Sequence, residues 1–204
     1  MAGAAFTPED LEKINNSVLS RYAKVAAGGW KKLFRYPTGR EGMDGLGYDS
    51  KVTAILDEET ASTYCGVTHL FSTSPIRFGD RILDIGCGAG VDTILAAHLA
   101  GKDGAADGVD MTPQMLALAR ENQKRTGSDN VSFSQASGEA LPFSDHSFDV
   151  VISNGVFNLI PDKQKALAEA WRVLRPGGRM VIADQILSDE SPRDVDTMTR
   201  HWGR

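Results

Sequence analysis

The sequence of 204 residues predicts an α/β fold, a doubly wound and mostly parallel sheet with helices on both faces. Three observations carry this prediction. From Asp80 onward, short apolar runs alternate with stretches of helical length. Helix start and stop signals fall between those runs, as where Thr112-Pro113 opens a segment that Gly127 closes. One apolar run ends in an acid and opens at once into glycines, "RILDIGCGAGVD" over 81–92, the layout of a ligand site at a strand end.

Taken in order, Thr7-Pro8-Glu9-Asp10 is a helix start. Thr7 can cap, Pro8 suits the first helical position, and Asp10 stands where a capping-box acid belongs. That helix runs through "LEKINNSVLSRYAKVAA" to Gly28-Gly29. Trp30 to Ser50 is glycine-rich without a clear period and reads as a covering loop; a short helix follows near Glu58 to Cys65. Then come the strand "RILDIG", the helix "VDTILAAHLAG", the strand "DGVDM" and the helix "TPQMLALARENQKRTG". The strands "VSFSQA" and "FDVVISN" follow, then the helix "DKQKALAEAWRVLRPGG", stopped by Pro176-Gly177-Gly178, and the strand "RMVIADQIL". Asp194 to Trp202 reads as the start of one more helix. Residues 1–65 are expected to form an N-terminal helical and loop cover over a core of residues 66–204, with Gly39–Gly47 and the first helix as a lid over substrate.

Composition narrows the function classes. The net charge is −5, the pI is near 5.4, and the basic residues are scattered, which argues against a nucleic-acid partner. No apolar run approaches the roughly 18 residues of a membrane span, and "MAGAAFTPEDLEK" lacks the regions of a secretory leader. The two cysteines, Cys65 and Cys87, make neither a disulfide framework nor a zinc pattern, so no metal is expected. A reduced, cytoplasmic compartment fits them.

The glycine spacing decides between ligands. A dinucleotide loop needs Gly-x-Gly-x-x-Gly, but Val91 stands where the third glycine would fall, so a nicotinamide cofactor is disfavoured. Asp84, just ahead of the turn, repels phosphate and suits a ligand carrying an ammonium group. A nucleoside with an amino-acid tail and no phosphate is S-adenosylmethionine. Gly86, Cys87, Gly88 and Gly90 form the turn around it. Asp110, ending the second strand, can accept both ribose hydroxyls, and Met111 is placed against the adenine face. "ASGEALPF", with Ser137, Gly138 and Glu139, can serve the adenine edge, and Asn154 ends the fourth strand, where the reactive methyl group should project.

With "ILDIGCGAG", "GVDMTPQML", "GEALPFSDHSFDVVIS" and "EAWRVLRPGGRMVIAD" in this order, the chain resembles the class I S-adenosylmethionine-dependent methyltransferases over about residues 45–203. The resemblance implies a Rossmann-like fold with S-adenosylmethionine as cofactor. Asp84, Gly86, Gly88 and Gly90 then frame the methionine part, Asp110 and Met111 hold ribose and adenine, Gly138 and Glu139 line the adenine edge, and Asn154 lies near the methionine end. Within that superfamily, "LGYD", "GVDMTPQMLALAREN", "SNGVFNLIPDK" and "HWG" look most like the arsenite methyltransferases. The chain departs from that pattern at Gly155, where the family has a cysteine, and has none in its first 64 residues; Cys65 matches a family cysteine. Ser137 stands where many relatives have Asp, so that either the adenine amine loses a charged acceptor there or Glu139 replaces it.

The resemblance implies seven strands, the last two antiparallel, whereas the chain supplies about five. Its fifth strand is therefore an expected apolar edge, left by a truncated chain or covered by a second copy in a homo-oligomer. The expected function is methyl transfer from S-adenosylmethionine to a small-molecule acceptor by in-line displacement. Arsenite methylation and a non-catalytic cofactor-binding domain are the alternatives. No residue reads as a general base, so the catalytic set stays open.

Overall fold

The computed structural model describes residues 6–29, 34 and 36–185. Helix α1, Pro8–Lys24, begins with the expected capping box: the Asp10 N–H donates to Thr7 Oγ1 at 3.2 Å, and the Thr7 N–H donates to the Asp10 carboxylate at 3.0 Å. A wider turn over Val25–Gly29 ends it, with Gly28 in a left-handed conformation, φ 97°.

The next stretch differs from the loop expected there. Among its described residues, Gly39–Gly45 forms helix α2 and Ser50–Thr53 forms the single turn α3. Glycine serves close packing in α2, since a Cβ on Gly42 would lie 2.5 Å from the Pro37 carbonyl oxygen. Two short helices, α4 (Glu58–Ser62, capped by Asp57) and α5 (Leu70–Thr73), complete the cover.

The sheet comprises β1 (Arg81–Ile85), β2 (Ala105–Asp110), β3 (Val131–Gln135), β4 (Phe148–Asn154) and β5 (Leu174–Ala183). Their order is β3-β2-β1-β4-β5 and every pairing is parallel. Helices α6 (Val91–Ala100), α7 (Pro113–Thr126) and α8 (Lys163–Val173) form the crossovers. All but the last residue of β4 are buried, which explains its unbroken apolar text "FDVVIS" around one buried acid, Asp149. Strand order reverses between β1 and β4, so a crevice opens beyond the carboxyl end of β1.

Helix α8 stops at Val173, three residues short of the proline expected to stop it. Leu174 already pairs with Phe148, and the register then shifts so that Val150 faces Arg179. Arg175, directly before Pro176, is biased to extended backbone and away from helix. The helix expected over Asp194–Trp202 lies outside the described residues, as do the last residues of the expected fifth strand.

The cover and the sheet share one apolar cluster, in which Met43, Tyr48, Leu56 and Tyr64 join Ile82, Ile94, Leu95 and Val150. Burying a side chain such as Met43 or Leu56 contributes about 1.5–3 kcal/mol. The exposed Arg40–Glu58 and Arg125–Glu59 pairs contribute at most about 1 kcal/mol each. Apolar burial therefore holds the cover in place. On the opposite face, α8 packs Ala170 and Val173 against Leu83, Phe148 and Val151. Among the described residues no helix is long and apolar enough to cross a membrane.

Candidate functional site: a cavity at the end of β1

Beyond β1 the chain turns through Gly86, Gly88 and Gly90, each in the left-handed region with φ of 75°, 52° and 78°. Gly86 and Gly88 line a cavity at the crevice, and nothing lies within 4 Å of where a Gly88 side chain would begin. Gly90 stands outside the lining. A Cβ there would come within 2.5 Å of the Phe133 ring, so it seats α6 against β3.

Three acids converge on the cavity from three elements. Asp84 in β1 is 2% exposed and accepts from the Thr93 hydroxyl at 2.6 Å. Burial, reinforced by the charges of Asp92 and Asp110, pushes its carboxyl up to about 8. Asp110, ending β2, accepts from the backbone N–H of Thr112 at 2.8 Å and of Gly88 at 3.0 Å, which locks the glycine turn to the start of α7. Burial raises its carboxyl as well, and those N–H groups oppose the rise. Asp92, in the first turn of α6, is 8% exposed and is pushed up to about 6 by burial. Its carboxylate accepts from the Tyr48 hydroxyl at 2.6 Å and from Asn154 Nδ2 at 2.9 Å.

Asn154 is more committed than the sequence suggests. Its Oδ1 accepts from the Val67 N–H at 2.8 Å, and its Nδ2 also donates to the Thr68 carbonyl at 2.9 Å. It lines the cavity and at the same time fixes the Gly66–Thr68 segment.

Of the expected residues, Asp84, Gly86, Cys87, Gly88, Asp110, Met111, Ser137, Gly138 and Asn154 all line the cavity. Glu139 does not. Its carboxylate accepts from the Asp162 N–H at 2.9 Å, at the start of α8. The structure adds Asp92 and, from α1, the stripe Asn15, Val18 and Tyr22. Their spacing of three and four residues is one helix face, a signal present in the sequence but attributed there to a substrate lid. Cys65 also lines the cavity. Its thiol is pushed up to about 12, first by burial and then by the charges of Asp92 and Asp110, and burial raises Cys87 well above its ordinary value.

A second cavity adjoins the first. Pro37, Leu46, Val67, Thr68, Ile182 and Asp184 contribute to it, and it shares Tyr36 and Gly66 with the first cavity. A side chain at Gly66 would collide with Asn154 Nδ2 and the Tyr64 hydroxyl, each 2.4 Å away. Only the smallest residue fits this partition. Among the described residues lining either cavity there is no Lys, Arg or His.

The comparisons with known proteins agree with this geometry. The model of the methyltransferase domain family matches residues 76–202. The arsenite methyltransferase of Halobacterium salinarum is 42% identical over 159 residues, 78% of this chain and 40% of that protein. A ubiquinone/menaquinone biosynthesis C-methyltransferase of a Marinomonas species is 42% identical over 120 residues, 57% of this chain and 47% of that protein. Among solved structures, an arsenic(III) S-adenosylmethionine methyltransferase of Chlamydomonas reinhardtii superposes with a TM-score of 0.56 at 35% identity, covering 74% of this chain and 50% of that one. The chain thus spans half or less of the length of these relatives. It belongs to the methyltransferase domain family, as a class I domain of the S-adenosylmethionine-dependent kind.

Proposed function

We propose that the chain binds S-adenosylmethionine in the cavity beyond β1 and transfers its methyl group to a small-molecule acceptor. One observation carries this reading. The cavity gathers Asp84, Asp92 and Asp110 with no cationic side chain among its described lining residues, and S-adenosylmethionine brings both a sulfonium and an ammonium. The bound cofactor supplies a methyl group on positively charged sulfur. Asp110, held by the Gly88 and Thr112 N–H groups, orients the ribose, and Met111 lies against the adenine. Asp84 and Asp92 face the ammonium end. The described residues up to 65 cover the site and exclude water, so that alignment of acceptor and methyl group lowers the barrier.

The acceptor enters through the second cavity and meets the methyl group at Gly66. Arsenite is the runner-up, favoured by the identity to the Halobacterium enzyme. Against it, the two cysteines of the chain line the cofactor cavity with their thiols held protonated, and neither lines the second cavity. The proposed setting is cytoplasmic, with a second copy of the chain against the β5 edge.

Calorimetric titration with S-adenosylmethionine, S-adenosylhomocysteine and NADH tests the reading. Micromolar binding of both adenosyl ligands, weakened about tenfold to a hundredfold by Asp110→Ala, is expected, with no binding of NADH. A folded protein that binds NADH and neither adenosyl ligand would overturn it.

A further inference from the structure

We propose that the second cavity is built for an amine, and that Asp184 is the group that anchors the acceptor nitrogen and takes its proton. This rests on the methyl-transfer reading above. Asp184 follows directly on β5, whose last residue, Ala183, pairs with Asn154 of β4. The carboxylate therefore stands next to the strand end that holds the Gly66–Thr68 partition, and it lines the acceptor side of that partition.

The carboxylate is held in place from behind. One oxygen accepts from the Asn158 N–H at 2.8 Å and the other from the Gln185 N–H at 2.7 Å. Asn158 also carries a buried side-chain oxygen with no hydrogen-bond partner. Among the described residues Lys163 is the cation that acts on Asp184, but its ammonium donates to the Ile160 carbonyl at 2.8 Å and it lines neither cavity. Among the described residues lining the second cavity, Asp184 is the only ionisable carboxyl, amine or imidazole, and the other described walls are largely apolar or glycine. An anionic acceptor would be repelled by it and by Asp92 beyond the partition. A neutral hydroxyl would bring no charge to meet the Asp184 carboxylate inside the cavity. An ammonium meets both conditions.

The step balances without a further reactant. The acceptor enters as an ammonium and gives one proton to the Asp184 carboxylate. The freed nitrogen lone pair then forms the N–C bond while the S–C bond breaks, and sulfur keeps that electron pair. The products are a methylammonium, a protonated Asp184 and neutral S-adenosylhomocysteine. Asp184 thereby fills the catalytic position that the sequence leaves open.

Benzylamine, benzyl alcohol and benzoate are size-matched probes for a calorimetric test, titrated into the protein both alone and saturated with S-adenosylhomocysteine. Benzylamine is expected to bind at least tenfold more tightly than benzyl alcohol, and benzoate not at all. Asp184→Asn should remove that preference while S-adenosylhomocysteine affinity stays within twofold, and Asp184→Glu should recover part of it. With S-adenosylmethionine present, methyl transfer to benzylamine should fall about a hundredfold in Asp184→Asn. Equal binding of amine and alcohol, or a preference that survives Asp184→Asn, overturns the amine assignment even when S-adenosylhomocysteine binds. Loss of S-adenosylhomocysteine binding with the amine preference intact overturns the cofactor reading and supports the acid anchor.

Discussion

At Asp84 the folded protein holds a proton that the unfolded chain gives up. The carboxyl ionises near 8 when buried, against the ordinary 3.8, so the folded state binds more protons between those limits. The unfolding free energy contributed by this group falls as pH rises from about 4 to about 8. Asp84→Asn removes the penalty while keeping an acceptor for Thr93. The variant should melt about 5 °C above wild type at pH 8 and level with it at pH 4, measured without ligand. Gly90 makes the opposite case: Gly90→Ala forces a Cβ to within 2.5 Å of the Phe133 ring at φ 78°, and should cost about 2 kcal/mol in denaturant unfolding. Asp84, Asp110 and the glycine turn were legible because strand ends and turns have local signatures. The role of Asp92 was not: its partner Tyr48 lies 44 residues away, and a first-turn acid reads as a plain helix-dipole residue.

Among the elements, α1 has a larger part than a substrate lid. Asn15, Val18 and Tyr22 put one of its faces on the cavity beyond β1, where we propose the cofactor binds, and burial holds the Tyr22 phenol protonated as a donor. Tyr22→Ala is therefore expected to weaken S-adenosylhomocysteine about tenfold by calorimetry, with the protein folded. If only turnover falls, α1 serves the acceptor alone. The limits of α1, α6 and α7 were readable from Thr7, Gly101 and the Thr112 to Gly127 pair, because caps and glycine stops act within a turn of the chain. Helix α2 was hidden because its glycines look like loop. They are there so that Gly42 can press on Pro37 and Gly39 on Ser62, contacts that no local pattern announces. The end of α8 was misplaced for a related reason, since Leu174 is captured by Phe148 across the sheet before Pro176 can act.

Across the molecule, a single reversal of strand order places Asp84, Asp92, Asp110 and Asp184 around two joined cavities. Alternation of strand and helix made the parallel sheet and its crevice legible, whereas the second cavity depends on the cover closing over β5 and had no sequence signal. The sheet edge at β5 is only half buried, which is where the proposed second copy would add contacts. The acid lining also makes the protein a proton source. At neutral pH most Asp84 carboxyls carry hydrogen, and an arriving cation will expel it into solution. Injection heats for S-adenosylmethionine should therefore differ between phosphate and Tris buffers in proportion to their ionisation enthalpies, and affinity should strengthen as pH rises from 6 to 8. The cofactor would then be held most firmly where the empty domain is weakest, so alkaline conditions would sort loaded molecules from empty ones by thermal survival alone.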